Sequence, residues 1–157
     1  SSQGLAGLYP RFSSGIFFGT NGFLNNNTLI SRSGGEVYSG SDWTTDVIDD
    51  DVNTSLYMGA TGAYLEFNLL SIYRINEYRH MGDNINNEDG QWTLRYYDNQ
   101  DDTWKDWDSF STSSTEMYSS WFNPSTITTD RIRLVCTGVD TSDINSSYIS
   151  ELRFKYN

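Results

Sequence analysis

Four stretches of this chain alternate apolar and polar residues with a period of two. Ala63, Leu65, Phe67 and Leu69 alternate with Tyr64, Glu66 and Asn68. Trp92, Leu94 and Tyr96 repeat the pattern. Ile132, Leu134 and Cys136 oppose Arg131, Arg133 and Val135, and Leu152, Phe154 and Tyr156 oppose Arg153 and Lys155. Period two marks a strand with one buried face, and no stretch shows the period of an amphipathic helix. Shorter runs fill the intervals. Leu29 and Ile30 open a strand, Gly34-Gly35 makes a turn, and Glu36-Val37-Tyr38 follows. Residues 71–79 are extended, with Tyr73 and Ile75 inward, and residues 117–122 form a further strand. Asp98-Asn99-Gln100-Asp101-Asp102 is a run of turn formers that closes a hairpin between Trp92 and Trp104. Polar loops occupy residues 81–90 and 138–147. The predicted architecture is all-β, an antiparallel two-sheet sandwich.

The chain has 157 residues, enough for one domain with a sizeable core. A formal net charge of -11 excludes nucleic-acid binding through a basic surface. No apolar run approaches transmembrane length, and the loops lack the apolar spikes with basic neighbours that membrane insertion needs. The acidic balance suits an extracellular, cell-surface or virion protein. Cys136 is the one cysteine, so an intrachain disulfide is impossible, and its inward strand position suits a small buried residue. His80 is the one histidine. With no Gly-x-Ser-x-Gly pattern and no histidine cluster, the expectation is a protein that is not an enzyme.

Residues 1–27 form a separate segment. They are rich in Gly, Ser and Asn yet carry Leu5, Leu8, Tyr9, Phe12, Ile16, Phe17, Phe18, Phe23 and Leu24. So many large apolar groups require burial, either as extra strands on the same sandwich or as an arm docked on a protein partner or a second copy. Residues 28–157 are the sandwich.

Within the sandwich, Val47-Ile48-Asp49-Asp50-Asp51-Val52-Asn53-Thr54 crowds three carboxylates beside an amide and a hydroxyl. Like charges this close repel unless solvent or a cation offsets them. Hard oxygen donors on a tight turn are what calcium requires. The spacing Asp49-x-Asp51-x-Asn53 imitates half of an EF-hand loop. Thr54 stands where that loop needs Gly, Ala60 where it needs Glu, and no helices flank it, so the EF-hand is excluded. The alternation slips near Glu151, which turns that carboxylate toward a loop.

The same stretch resembles the "A-I-D-G-D/N-x-x-T-x-W" signature of the discoidin family, also called the coagulation-factor C-type or galactose-binding-like family. Other pieces follow in the family's order. Residues 63–68 resemble "W-I-x-I-D-L", 75–79 the strand ending in Arg, 92–104 "Y-x-L-x-Y-S-x-D-G-x-x-W", 129–134 "T-x-R-Y-I-R-L", and Ile149-Ser150-Glu151-Leu152 "I-A-E-L-x-V". Asp50 replaces the usual Gly. Leu56 replaces the usual Trp, so a core aromatic has to come from elsewhere, with Tyr57 the neighbouring choice.

The resemblance implies a jelly-roll sandwich with one structural calcium. Its ligands would be the side chains of Asp49, Asp51, Thr54 and Glu151 and the backbone carbonyls of Asp46, Thr54 and Ser150. It also implies glycan binding at one end of the sandwich, with Tyr57, Arg79 and Asn84 at the family's sugar-binding places. His80 and Asp83 lie close by, and Trp43 and the 140–148 loop complete the rim. Guanidinium and amide groups suit sugar hydroxyls, and an aromatic face suits the apolar side of a pyranose. The function expected is a calcium-stabilised, lectin-like module. The alternative is a structural or assembly module, a virion or surface-layer decoration, that docks through residues 1–27.

Overall fold

The computed structural model describes residues 22–23, 29–33, 37–38, 47–48, 51–59, 61–138 and 147–157. The strands are β1 (Gly22–Phe23), β2 (Leu29–Ser33), β3 (Val37–Tyr38), β4 (Leu56–Met58), β5 (Tyr64–Met81), β6 (Gly90–Asp98), β7 (Thr103–Thr112), β8 (Ile127–Cys136), β9 (Ser147–Ile149) and β10 (Glu151–Tyr156). A seven-stranded sheet runs in the order β1-β10-β5-β8-β6-β7, with β2 pairing on β5, and a three-stranded sheet runs β3-β4-β9. Every pairing is antiparallel. No helix in the described residues is long and apolar enough to cross a membrane.

The inner faces of the two sheets share one core. Leu56, Met58 and Ile149 of the small sheet join Leu65, Phe67, Tyr78, Trp92, Leu94, Ile132, Leu134, Cys136 and Leu152 of the large one. A buried polar chain also ties the sheets. Trp92 Nε1 donates to Thr112 Oγ1 at 3.0 Å, and Thr112 Oγ1 donates to the Tyr148 carbonyl at 3.0 Å. The indole N–H is thus satisfied inside the protein, as a buried Trp requires.

The long strand β5 changes face along its length. Leu65, Phe67 and Ile75 point inward, and then Tyr78 does. Lys155 of β10 pairs with Glu77 while Tyr156 pairs with Ile75, which leaves Asn76 as an extra residue, a β-bulge. Beyond the bulge, Tyr78 and His80 lie on the inner face, and Glu77 and Arg79 on the outer one.

Most sequence expectations hold. The hairpin, Ile127–Cys136 and the inward faces of the last strand appear as read, and Cys136 is fully buried. Three details differ. Residues 117–122 form no regular strand; they reach β5 through an isolated bridge, Phe122 to Tyr78, and through hydrogen bonds between Ser119 and His80, because the Ser/Thr-rich flanks favour turns. Residues 64–81 run as one strand and not two. Leu56 itself enters the core, and the large rings there come from Trp92, Tyr78 and Phe67, with Tyr57 facing out. The Gly34-Gly35 turn and most of residues 1–27 lie outside the described residues.

Gly82 opens the loop after β5, and a Cβ there would overlap the backbone carbonyl of Ser113. Backbone cannot yield as a side-chain tip can, so Gly82→Ala should cost about 1–3 kcal/mol, the usual range for overpacking. Urea unfolding measures it; an unchanged midpoint would show that the two loops are not packed together.

Candidate functional site

The acidic loop and the last strand meet at one corner of the sandwich. The Leu152 amide donates to the Val47 carbonyl at 2.8 Å, and Arg153 Nη1 donates to the Ile48 carbonyl at 2.9 Å. Ser55 Oγ lies 3.3 Å from Ser150 Oγ and donates to Asp83 Oδ1 at 2.6 Å. Three segments far apart in sequence are therefore held together by ordinary hydrogen bonds. On the loop, the Asn53 amide donates to Asp51 Oδ1 at 2.8 Å, and Thr54 Oγ1 donates to the Asp51 carbonyl at 3.1 Å. This is the local self-bonding that Asp and Thr favour in turns.

Glu151 is fully buried. Its Oε1 lies 3.3 Å from Arg153 Nη2 and accepts from the Tyr118 hydroxyl at 3.4 Å. A buried carboxylate needs such a counter-charge. Arg153 thus bridges the Ile48 carbonyl and the Glu151 carboxylate, a covalently attached cation at the corner where the sequence suggested a metal. Asp51, Thr54, Ser150 and Glu151 lie on the segments that meet there. Asp46 and Asp49 lie outside the described residues. Among the described residues no three of His, Cys, Asp and Glu form a metal-holding group. Oxygen donors on the 51–54 turn suit a hard cation, whereas Glu151 already serves Arg153.

The residues expected around a sugar divide between faces. Tyr57 is half-buried on the outer face of the small sheet, its ring 4.8 Å from that of Tyr148, its register partner. Arg79 is on the outer face of the large sheet, its guanidinium carbon 3.9 Å from the Tyr118 ring and 4.7 Å from the Trp121 ring. The core lies between these two positions. Arg79 Nε is buried and has no hydrogen-bond partner among the described residues. Asn84 is half-buried in the loop after β5. Trp43 lies outside the described residues.

Asp83 differs from the expected ligand contact, because it is fully buried. Its carboxylate accepts from Ser55 Oγ and from the amides of Ile85 at 3.1 Å, Asn86 at 2.9 Å and Glu88 at 3.2 Å. It shapes the loop and presents no surface. His80 is likewise spent on packing. Its ring stacks 4.4 Å from Phe110 and 5.6 Å from Phe122, and burial lowers its pKa to about 4. Beside it, Tyr78 donates to Asp108 Oδ2 at 2.7 Å, and burial followed by that bond raises its pKa. Tyr118, Trp121 and Arg153 were not singled out in the sequence. Aromatic residues in the Ser-rich 113–125 stretch were the available signal for the first two.

No protein-family model matches the sequence, and no curated protein matches it. Solved structures do match the fold. The family 32 carbohydrate-binding module of NanJ from Clostridium perfringens, in complex with galactose, superposes with a TM-score of 0.66 at 14% identity, covering 87% of this chain and 99% of that one. The family 32 module of AlyQ, in complex with 4,5-unsaturated mannuronic acid, gives 0.62 at 17% identity over 80% and 92%. A pectin-binding carbohydrate-binding module gives 0.61 at 18% identity over 79% and 86%. At these identities the likeness is one of fold, and that fold is the antiparallel β-sandwich expected from the sequence.

His80 provides a pH test of this packing. Its folded pKa of about 4 lies below the ordinary 6.5. Between these values the unfolded chain binds a proton that the folded chain refuses, so its contribution to stability falls as pH drops from 6.5 toward 4. His80→Phe should remove that slope. Denaturation midpoints of both proteins across this range measure it; parallel pH curves would mean that the imidazole is solvated.

Proposed function

We propose that the chain is a non-catalytic carbohydrate-binding module that recognises glycan at a cell or particle surface, outside the cell. The observation that carries the reading is the fold likeness, which spans nearly the whole length of modules whose structures hold sugars. A module of this size with half-buried aromatic and guanidinium groups on its outer faces has the chemistry that pyranose rings and hydroxyls require. Two patches are candidates: Arg79 with Tyr118 and Trp121 on the large sheet, and Tyr57 with Tyr148 on the small one. Asn84 stands in the loop after β5. The Arg79 patch is favoured, because its guanidinium is braced by two rings.

On a glycan array the protein should bind a defined set of sugars, and Arg79→Ala should weaken that binding at least tenfold while Tyr57→Ala leaves it. A blank array with folded protein would overturn the reading.

Calcium is proposed at the acidic loop, with Asp46, Asp49, Asp51 and Thr54 on the loop side and Ser150 and Glu151 on the strand side. Bound there it would neutralise crowded carboxylates and add a second fastening to the corner. Arg153 would compete with it for Glu151. Chelation should lower the melting temperature, and Asp51→Ala should abolish the difference. If chelator leaves the native melting curve unmoved, the corner is closed without a metal, by Arg153 and the Leu152–Val47 and Ser55 hydrogen bonds.

A further inference from the structure

The outer face of the large sheet holds one carboxylate that solvent does not reach. Glu151 shares strand parity with Arg153 and Lys155, which lie on that face, yet it is fully buried. Its register partner Met81 is buried beside it. At the next outer position along the two strands, Arg153 and Arg79 are direct register partners. Two guanidinium groups side by side on one face repel unless an acid offsets them. Glu151 offsets this pair, with its Oε1 3.3 Å from Arg153 Nη2. Lys155, the following cation of the row, has an acid of its own in Glu77 at 3.7 Å.

Tyr118 joins the same carboxylate to Arg79. Its hydroxyl donates to Glu151 Oε1 at 3.4 Å. That is long for a hydroxyl bond, but the acceptor is a buried charge, which strengthens it. The other end of the side chain braces the guanidinium: the Arg79 carbon lies 3.9 Å from the Tyr118 ring and 4.7 Å from the Trp121 ring. Backbone bonds moor this segment to β5 on either side of Arg79. The Ser119 amide donates to the His80 carbonyl at 2.7 Å, and the Phe122 amide to the Tyr78 carbonyl at 2.8 Å. These bonds fix where the Tyr118 side chain starts and leave its torsions free. The hydroxyl on Glu151 fixes where it ends.

We propose that Glu151 is a positioning residue for the Arg79 patch, an inference that rests on the reading of that patch as the glycan site. Glu151 touches no ligand and acts by two routes. Through the Tyr118 hydroxyl it holds the ring that braces Arg79. Through Arg153 it cancels the charge that would push Arg79 away from that ring. A patch that binds hydroxyls needs its fork held at one angle, because such bonds are met by geometry. A carboxylate closed off from solvent thus sets the aim of a guanidinium that meets the ligand.

The test compares the native protein with Tyr118→Phe and Glu151→Gln. Tyr118→Phe keeps the ring and deletes one hydroxyl, and it leaves every proposed calcium donor in place, so its effect cannot come from lost metal. Glu151→Gln keeps the shape and deletes the charge. One readout is the NMR shift of the Arg79 side-chain protons, which the two rings displace upfield. The other is affinity for the strongest ligand on the glycan array. Both variants should move the Arg79 resonances toward those of a free arginine and weaken glycan binding about three- to tenfold, the usual size of coupling through neighbouring side chains. Tyr97→Phe, beside the separate Arg131 stack, should change neither readout. Should Glu151→Gln fail to fold, Tyr118→Phe decides alone. The proposal is overturned if Tyr118→Phe keeps the native Arg79 resonances, or if they move while glycan affinity stays native. A blank array would sink the glycan reading, and the resonances would still decide whether Glu151 holds Arg79.

Discussion

Strand β5 is the constraint on which the rest depends. It pairs with β2 and β8 along its first half and with β10 along its second, so it sets the register of most of the large sheet. Side chains in a strand alternate strictly, and a single inserted residue reverses which of them face the core. The bulge at Asn76 is such an insertion. It carries Tyr78 into the core and sends Glu77 and Arg79 outward against β10. Without it, an arginine would point into apolar packing and a core tyrosine into solvent.

Charge is handled by the same geometry. This acidic protein places its cations where aromatic rings brace them: Arg79 on Tyr118 and Trp121, Arg131 on Tyr97, Arg133 on Tyr64 and Trp104, and Lys155 on Trp121. A guanidinium stacked on a ring keeps its edge for polar partners while its flat face gives up water that it holds weakly. The Arg153–Glu151 pair uses a guanidinium differently: its edge meets a backbone carbonyl and a buried carboxylate, and the result is a fastening.

Much of the fold was legible in the residues. Alternation in Leu65 to Leu69, Trp92 to Tyr96 and Ile132 to Cys136 is a local signal, and it located strands and inward faces. The slip near Glu151 pointed that carboxylate away from solvent, and the structure buries it beside Arg153. What was not legible depends on contacts between distant segments. Nothing near Asp83 in sequence reveals that Ser55 and three amides of its own loop consume its oxygens. Tyr57 and Arg79 resemble parts of one sugar site when aligned on a motif, yet strand parity puts them on opposite sides of the core. His80 looks like a loop histidine until the bulge turns it under Phe110 and Phe122. In the calcium-loop and rim assignments, Trp43, Asp46, Asp49 and residues 140–146 lie outside the described residues.

The pairing of Leu56–Met58 with Ser147–Ile149, and of β5 with β10, has a consequence for how the chain is made. Synthesis delivers β4 and β5 early and their partners last. Until β9 and β10 arrive, β4 lacks a neighbour on one edge, and the second half of β5 lacks one along most of its length. Among the described strands, β6 and β7 are the pair joined by a short turn. Non-local pairings of this kind fold slowly, because chain entropy is lost before the contacts repay it. A nascent chain therefore carries a long, half-apolar strand with an open edge, the kind of template on which other chains add. The large sheet closes along this edge only when β10 is in place, so a chain cut short at that strand keeps the open edge of β5.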